Sequence, residues 1–161
     1  MTSTGLKTTN KTVSSYVGAL EEAFLFYRAT RYDLHGKALL KTNPKEYIVD
    51  TGFRTWMAGY RVTDTGRLFE NAVYLQLLYE GWSVHVGKLY GKEVDFVATK
   101  DGRVLYVQAT DEMFASETRE REIAPLKSIR DNHEKVVAVR RGSYDTDIDG
   151  IRIVSARDFF L

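Results

Sequence analysis

The sequence predicts an α/β protein, α+β in arrangement, and three features carry that reading. In the twelve positions 68–79, nine residues are apolar or aromatic, and a helix apolar on nearly every side packs inside a domain. Three strand-like runs follow, Trp82 to Leu89, Glu93 to Thr99 and Val104 to Ala109, and Asp101-Gly102 joins the last two. Asp-Gly is a favoured two-residue hairpin turn. The pattern then returns to helix over Ser116 to Ile129 and to strands at Lys135 to Val139 and Ile151 to Val154.

Taken in order, residues 1–9 read as a loose leader rich in Thr and Ser. Val13, Tyr16, Val17, Leu20 and Phe24 recur at helical spacing and predict an amphipathic helix. Leu25 to Tyr32 and Leu39 to Thr42 look extended, and the polar turn at residues 33–37 between them predicts a hairpin. Tyr47 to Val49 is a further short strand candidate, and Thr51 to Ala58 a short helix closed by Gly59. Thr63 or Asp64 is placed to cap the long helix, which Gly81 ends in the left-handed conformation. Pro125 is expected to kink or split the helix that contains it. Ser155 caps a last turn through Asp158, Phe159 and Phe160. The one boundary that suggests itself lies between Gly59 and Asp64.

Composition narrows the function classes. No apolar run approaches the roughly 20 residues of a membrane-spanning helix, and the polar start lacks the apolar core of a secretory signal. A cytoplasmic protein without membrane partners is the expectation. The absence of cysteine removes disulfides, thiolate metal sites and cysteine nucleophiles together. Net charge is +1 overall, with +3 in residues 1–60 and −2 in residues 61–161. A mildly basic front favours phosphates only weakly, and a solvated surface explains it equally well.

The Asp101-Gly102 turn also sets a register. Pairing Lys100 with Arg103 puts Asp95 opposite Gln108, with Thr110 two residues further along the same face. Glu70 lies on the helix stripe that holds Val73, Tyr74 and Leu77. A carboxylate on an apolar stripe needs a partner or a metal. Two acids and one amide are thereby brought towards one another.

The order helix, three strands, helix, strand, with Glu70 on the first helix and Asp95 on the second strand, resembles the PD-(D/E)XK nuclease superfamily. Within it the chain is similar to a C-terminal domain of unknown function from a family of bacterial and archaeal AAA-type ATPases. The residues behind this are Gly66-Arg67-Leu68-Phe69-Glu70-Asn71, Gly91-Lys92-Glu93-Val94-Asp95-Phe96-Val97, Tyr106-Val107-Gln108 and the helix run Glu117 to Glu122. Tyr47 to Arg54 resembles the segment leading into that domain, so the likeness runs roughly from Asn10 to the end. It implies a restriction-endonuclease-like mixed sheet flanked by helices over residues 63–161.

In active members of the superfamily, two strand acids hold Mg²⁺, a lysine two residues beyond the second acid serves the attacking water, and the helix glutamate assists. Carried over by position, Asp95 is the aspartate, Gln108 stands in place of the second acid, Thr110 in place of the lysine, and Glu70 is the helix acid. The resemblance thus marks Glu70, Asp95 and Gln108 as a degenerate catalytic set, and Asp95 and Glu70 as the remaining metal ligands. Two functions stay open. One is a non-catalytic interaction or nucleic-acid-associated module of an ATPase. The other is a Mg²⁺-dependent DNA or RNA endonuclease with a relocated lysine, for which Lys88 or Lys92 is the candidate.

Residues 10–60, a helix and a hairpin carrying Arg28, Arg31, Lys37 and Lys41, are similar to the second half of a winged helix-turn-helix. The likeness implies nucleic-acid contact by those four residues. The competing reading packs the segment on the core as a joint, and a third makes its exposed apolar surface a self-association site. Fainter signals point elsewhere. Gly87 to Glu93 is one residue short of a phosphate loop, so ATP binding is rejected. Asp145, Asp147, Asp149 and Gly150 copy half a calcium loop but read better as an acidic turn. His35, His85 and His133 have no ligand spacing, and Ser143 has no catalytic partners. Arg119 or Arg121 either faces the pocket or lies on a solvated helix face.

Overall fold

A computed structural model describes residues 9–59, 64–113, 115–142 and 145–161. One mixed eight-stranded sheet runs through it, flanked by helices. The elements in order are α1 (Asn10–Glu22), β1 (Phe26–Asp33), β2 (Ala38–Ile48), α2 (Thr51–Ala58), α3 (Thr65–Tyr79), β3 (Ser83–Leu89), β4 (Lys92–Lys100), β5 (Arg103–Glu112), α4 (Ser116–Lys127), β6 (Glu134–Arg141), β7 (Asp147–Ile148), β8 (Ile151–Ser155) and α5 (Ala156–Phe160). Across the sheet they lie β2-β1-β3-β4-β5-β6-β8-β7. The α/β class, in its α+β arrangement, is therefore as expected.

Two apolar clusters cover the two faces. Phe69, Val73, Tyr74 and Leu77 of α3 pack with Val86, Phe96, Val107 and Ala138 of the sheet. On the other face Ile123 and Leu126 of α4 pack with Val94, Val97, Val137 and Ile153. The alternation of strand residues between these clusters is the period-2 pattern that the strands carry in sequence.

Several details depart from expectation, each for a physical reason. Tyr47 does not begin a separate strand: Leu39 to Ile48 is continuous in β2. Pro44 is tolerated there because β2 is an edge strand and sits in a bulge. Arg31 faces Leu40 while Ala29 faces Lys45, so residues 41–44 of β2 stand opposite Thr30 alone. Pro125 does not split α4, which runs through it to Lys127 and stops short of Ile129. Pro125 takes away the N–H that would bond the Arg121 carbonyl, but so near the end only one bond is lost and the turn beyond is closed by Ser128 N on the Ala124 and Pro125 carbonyls. Asp64 is the N-cap of α3 but makes no cap bond, because its carboxylate is engaged by Arg54. Thr63, the other expected cap, and Ser143 lie outside the described residues, as do residues 1–8 of the expected leader and most of the expected boundary. Gly81 ends α3 with φ of 83°, as anticipated.

The hairpin that the resemblance casts as a wing joins the main sheet. Arg31, Tyr32 and Asp33 of β1 pair in parallel with Val86, Gly87 and Lys88 of β3. Thr30 reinforces the seam through a 2.8 Å bond to His85 Nδ1. A Cβ on Gly87 would lie 2.9 Å from Val97 and 3.2 Å from Leu34, so the bare backbone there lets the hairpin close on the core. This seam delivers β2 to the acidic residues of α3 and β4.

Candidate functional site

The β4–β5 ladder follows the register set by Asp101-Gly102, from Lys100↔Arg103 to Phe96↔Val107. It stops one step before Asp95. On its other side β4 bulges, because His85 faces Val97 and Gly87 faces Val94, leaving Val86 opposite both Asp95 and Phe96. Bulges release backbone groups and re-aim side chains. Here side chains take over the interrupted ladder: Asp95 Oδ2 accepts from Ala109 N at 2.9 Å, and Gln108 Oε1 accepts from Asp95 N at 3.3 Å. The Gln108 amide nitrogen then reaches Glu122 Oε2 of α4 at 3.4 Å. Thr110, buried two residues on, donates to the Glu112 carbonyl at 3.2 Å.

Glu70 arrives from α3. The Lys45 ammonium pairs with it at 2.6 Å and the Tyr47 hydroxyl donates to it at 2.7 Å. Lys45 also reaches Glu93 at 3.2 Å, and Glu93 takes Arg31 at 2.7 Å and Lys88 at 2.9 Å. Two acids, Glu70 and Glu93, are thus interleaved with three cations, Arg31, Lys45 and Lys88, and Asp95 lies near enough for the Lys45 and Glu70 charges to act on it. The Tyr47 ring stacks on Tyr74 with centroids 4.1 Å apart, which fixes the hydroxyl above Glu70.

The charges perturb one another strongly. Burial and the Glu70 charge push the Asp95 carboxyl up to about 7, against the pull of the Ala109 N–H and Lys45. Burial opposes ionisation of Glu93 too, yet bonds from Lys88, Arg31 and Lys45 bring it down to about 2. Burial works against the Lys45 ammonium, but Glu70, Asp95 and Glu93 together raise its pKa. Burial and the same acids hold the Tyr47 hydroxyl protonated far above its ordinary range.

Of the residues marked in the sequence, Asp95, Gln108 and Thr110 fall together on β4 and β5, and Glu70 joins them through Lys45. Lys45 and Tyr47 went unmarked, although strand alternation puts them on one face and Tyr47 is apolar enough to seek the core. What no local pattern announces is that this face meets α3. Of the two expected substitute cations, Lys88 and Lys92, Lys88 holds Glu93. Among the described residues, no three His, Asp or Glu side chains gather as a metal-binding group.

The basic residues of the front segment divide. Arg28 pairs with Glu21 at 2.7 Å and with Glu46 at 3.3 Å. Arg31 spans Glu93 and the Asn43 carbonyl. Lys37 and Lys41 are exposed. The histidines are locally engaged: His35 with Tyr90, His85 with Thr30, and His133 against the Tyr106 ring. Asp149 and Gly150 form the turn between β7 and β8, with Lys127 at 2.5 Å from Asp149. No helix among the described residues is long and apolar enough to cross a membrane.

Residues 2–64 match a family described as a domain of unknown function (DUF8612). An uncharacterized protein of Haemophilus influenzae is 42% identical over 161 residues, which is all of this chain and 40% of that protein. The chain therefore spans about two fifths of the length of this relative. No solved structure matches.

Proposed function

We propose that the chain is a nuclease-like domain of the PD-(D/E)XK type that does not cut, serving in the cytoplasm as an interaction or nucleic-acid-associated module of an AAA-type ATPase family protein. The observation that carries this reading is how completely protein groups occupy the acid cluster. Asp95 is bonded to Ala109 N, Gln108 to Asp95 N and Glu122, and Glu70 to Lys45 and Tyr47. Buried polar groups satisfied in this way have little to gain from a ligand.

The donor set also suits Mg²⁺ poorly. That ion favours one or two ionised carboxylates in a near-octahedral oxygen shell. Here one carboxylate is neutralised by an ammonium, a second sits at about 7, and the third position is an amide. Phosphodiester cleavage without a well-held metal lacks the charge that stabilises its transition state.

Incubation with single- and double-stranded DNA and RNA in Mg²⁺ or Mn²⁺ should give no cleavage above buffer, and calorimetry no tight metal binding. Tight binding abolished by Asp95→Ala would overturn the proposal. Nucleic-acid affinity that falls steeply with salt identifies the nucleic-acid-associated form of the module. One observation favours the metal-dependent nuclease as a second reading: Lys45 brings the ammonium that Thr110 lacks to within 2.6 Å of Glu70. On that reading cleavage occurs, and Lys45→Met destroys it together with Asp95→Ala.

A further inference from the structure

Three hairpins of the sheet turn through two residues that both have positive φ: Asp101-Gly102 between β4 and β5, Asp149-Gly150 between β7 and β8, and Tyr90-Gly91 between β3 and β4. Such turns select Asn, Asp or Gly at the first position, because a short side chain tolerates the left-handed backbone. Two of the three obey that rule. Tyr90, at φ of 49°, does not, and a bulky residue there is strained. Burial does not compensate, since Tyr90 is 74% exposed. Strain kept at an exposed residue points to a role outside the fold.

The surroundings of Tyr90 say which role. Because β1 runs parallel to β3, the turn that follows β1 lies beside Tyr90, and Leu34 N donates to the Lys88 carbonyl at 2.9 Å. His35 of that turn sets its ring 5.2 Å from the Tyr90 ring, and the Tyr90 hydroxyl is 3.0 Å from His35 Nδ1. Lys37 follows in the same turn, and Lys92 pairs with Leu89 across the Tyr90 turn. Both lysines are exposed, and among the described residues neither makes an ion pair or side-chain hydrogen bond. Asp33 accepts from His35 N at 3.1 Å, and Glu93 is matched by Arg31, Lys45 and Lys88. The two tips therefore present an open aromatic ring between unpaired ammonium groups.

We infer that these tips hold single-stranded nucleic acid, with one base stacked on Tyr90 and the phosphates beside it met by Lys37 and Lys92. Paired bases keep their faces inside the duplex, whereas any unpaired base offers its π-face to the ring. The inference rests on the nucleic-acid-associated form of the module proposed above. It puts the strand next to the acid cluster, to which Lys88 links the tips.

The test is fluorescence anisotropy at low salt in EDTA, with labelled oligothymidylate and oligouridylate of about twelve nucleotides and a DNA duplex of equal length. Both single strands should bind more tightly than the duplex, and the tighter of them names the sugar. Tyr90→Asn should weaken them about five- to thirty-fold while keeping or raising the melting temperature, because Asn-Gly suits the turn better. Tyr90→Phe should stay within about two-fold, since the ring remains. Replacing Lys37 and Lys92 together by Gln should flatten the dependence of log affinity on log salt by about 0.7 per lysine. No single-strand binding, a preference for the duplex, or unchanged affinity in Tyr90→Asn would overturn the inference. So would a lower melting temperature in Tyr90→Asn, which would make Tyr90 a support of the fold. Cleavage on adding Mg²⁺ would sink the non-cutting reading and leave this site standing, whereas absent binding sinks this site and leaves that reading intact.

Discussion

Lys45 is the side chain on which the acid cluster turns, since among the described residues it alone touches both Glu70 and Glu93 and also lowers the Asp95 carboxyl. Its ammonium is partly exposed and Glu70 less so, so the pair is worth more than a surface ion pair and less than a fully buried one. Lys45→Met should cost about 1–3 kcal/mol near neutral pH, because it leaves Glu70 and Glu93 facing each other without the cation between them. Glu70→Gln should cost a similar amount, since the Tyr47 hydroxyl keeps an acceptor but Lys45 loses its closest anion. The double variant should lose less than the two singles together by about 1 kcal/mol or more, as expected for groups in one network. Urea denaturation of the four proteins measures this. Strict additivity, within about 0.3 kcal/mol, would mean the ammonium and the carboxylate do not sense each other.

Among the elements, β2 depends on α3 in a way that one buried side chain explains. Asn71 Oδ1 accepts from Ile48 N at 2.9 Å, and its Nδ2 donates to the Ile48 carbonyl at 2.8 Å. An edge strand has one open row of backbone groups, and Asn71 closes it at the end of β2 where Tyr47 enters the core. Asn71→Ala should cost about 2–3 kcal/mol, since it strands two backbone groups under the helix. Amide exchange should accelerate at Tyr47 and Ile48 while β5 and β6 keep their protection. Equal acceleration throughout the sheet would show that Asn71 supports the whole fold and not this seam. The same contrast governs what the sequence made legible. β4 and β5 could be aligned residue by residue because Asp101-Gly102 is a local turn signal, and that alignment led to Asp95 and Gln108. The parallel seam between β1 and β3, and the docking of β2 on α3, join residues far apart in sequence through no turn at all. Lys45, Tyr47 and Asn71 therefore stayed hidden as a group. Pro44 added to this by making one bulged edge strand look like two short ones.

Over the whole molecule, the acid cluster leaves a mark on stability as a function of pH. The folded chain holds the Asp95 proton to about 7, whereas the unfolded chain releases it near 3.8. Between those values the unfolded state binds fewer protons at this residue, so its contribution to stability is complete below pH 4 and is lost as pH rises to 7. Glu93 acts in the opposite sense, stabilising the fold above pH 4.5 and ceasing to do so as pH falls towards 2. Between pH 5 and 8 Glu93 is therefore constant and Asp95 changes. His85, whose pKa burial lowers, makes stability rise with pH in part of the same window, but a difference between two variants cancels it. Asn at position 95 keeps an oxygen to accept from Ala109 N and removes the charge that Glu70 and Glu122 oppose. Asp95→Asn should match the parent protein below about pH 4 and gain on it as pH rises to about 7, the advantage growing between pH 5 and 7 by an amount on the order of 1–3 kcal/mol and levelling off above that. Thermal or urea unfolding at four pH values would show it. A constant difference across that range would mean Asp95 ionises as an ordinary carboxyl, and the charge balance drawn around Lys45 would have to be redrawn without it.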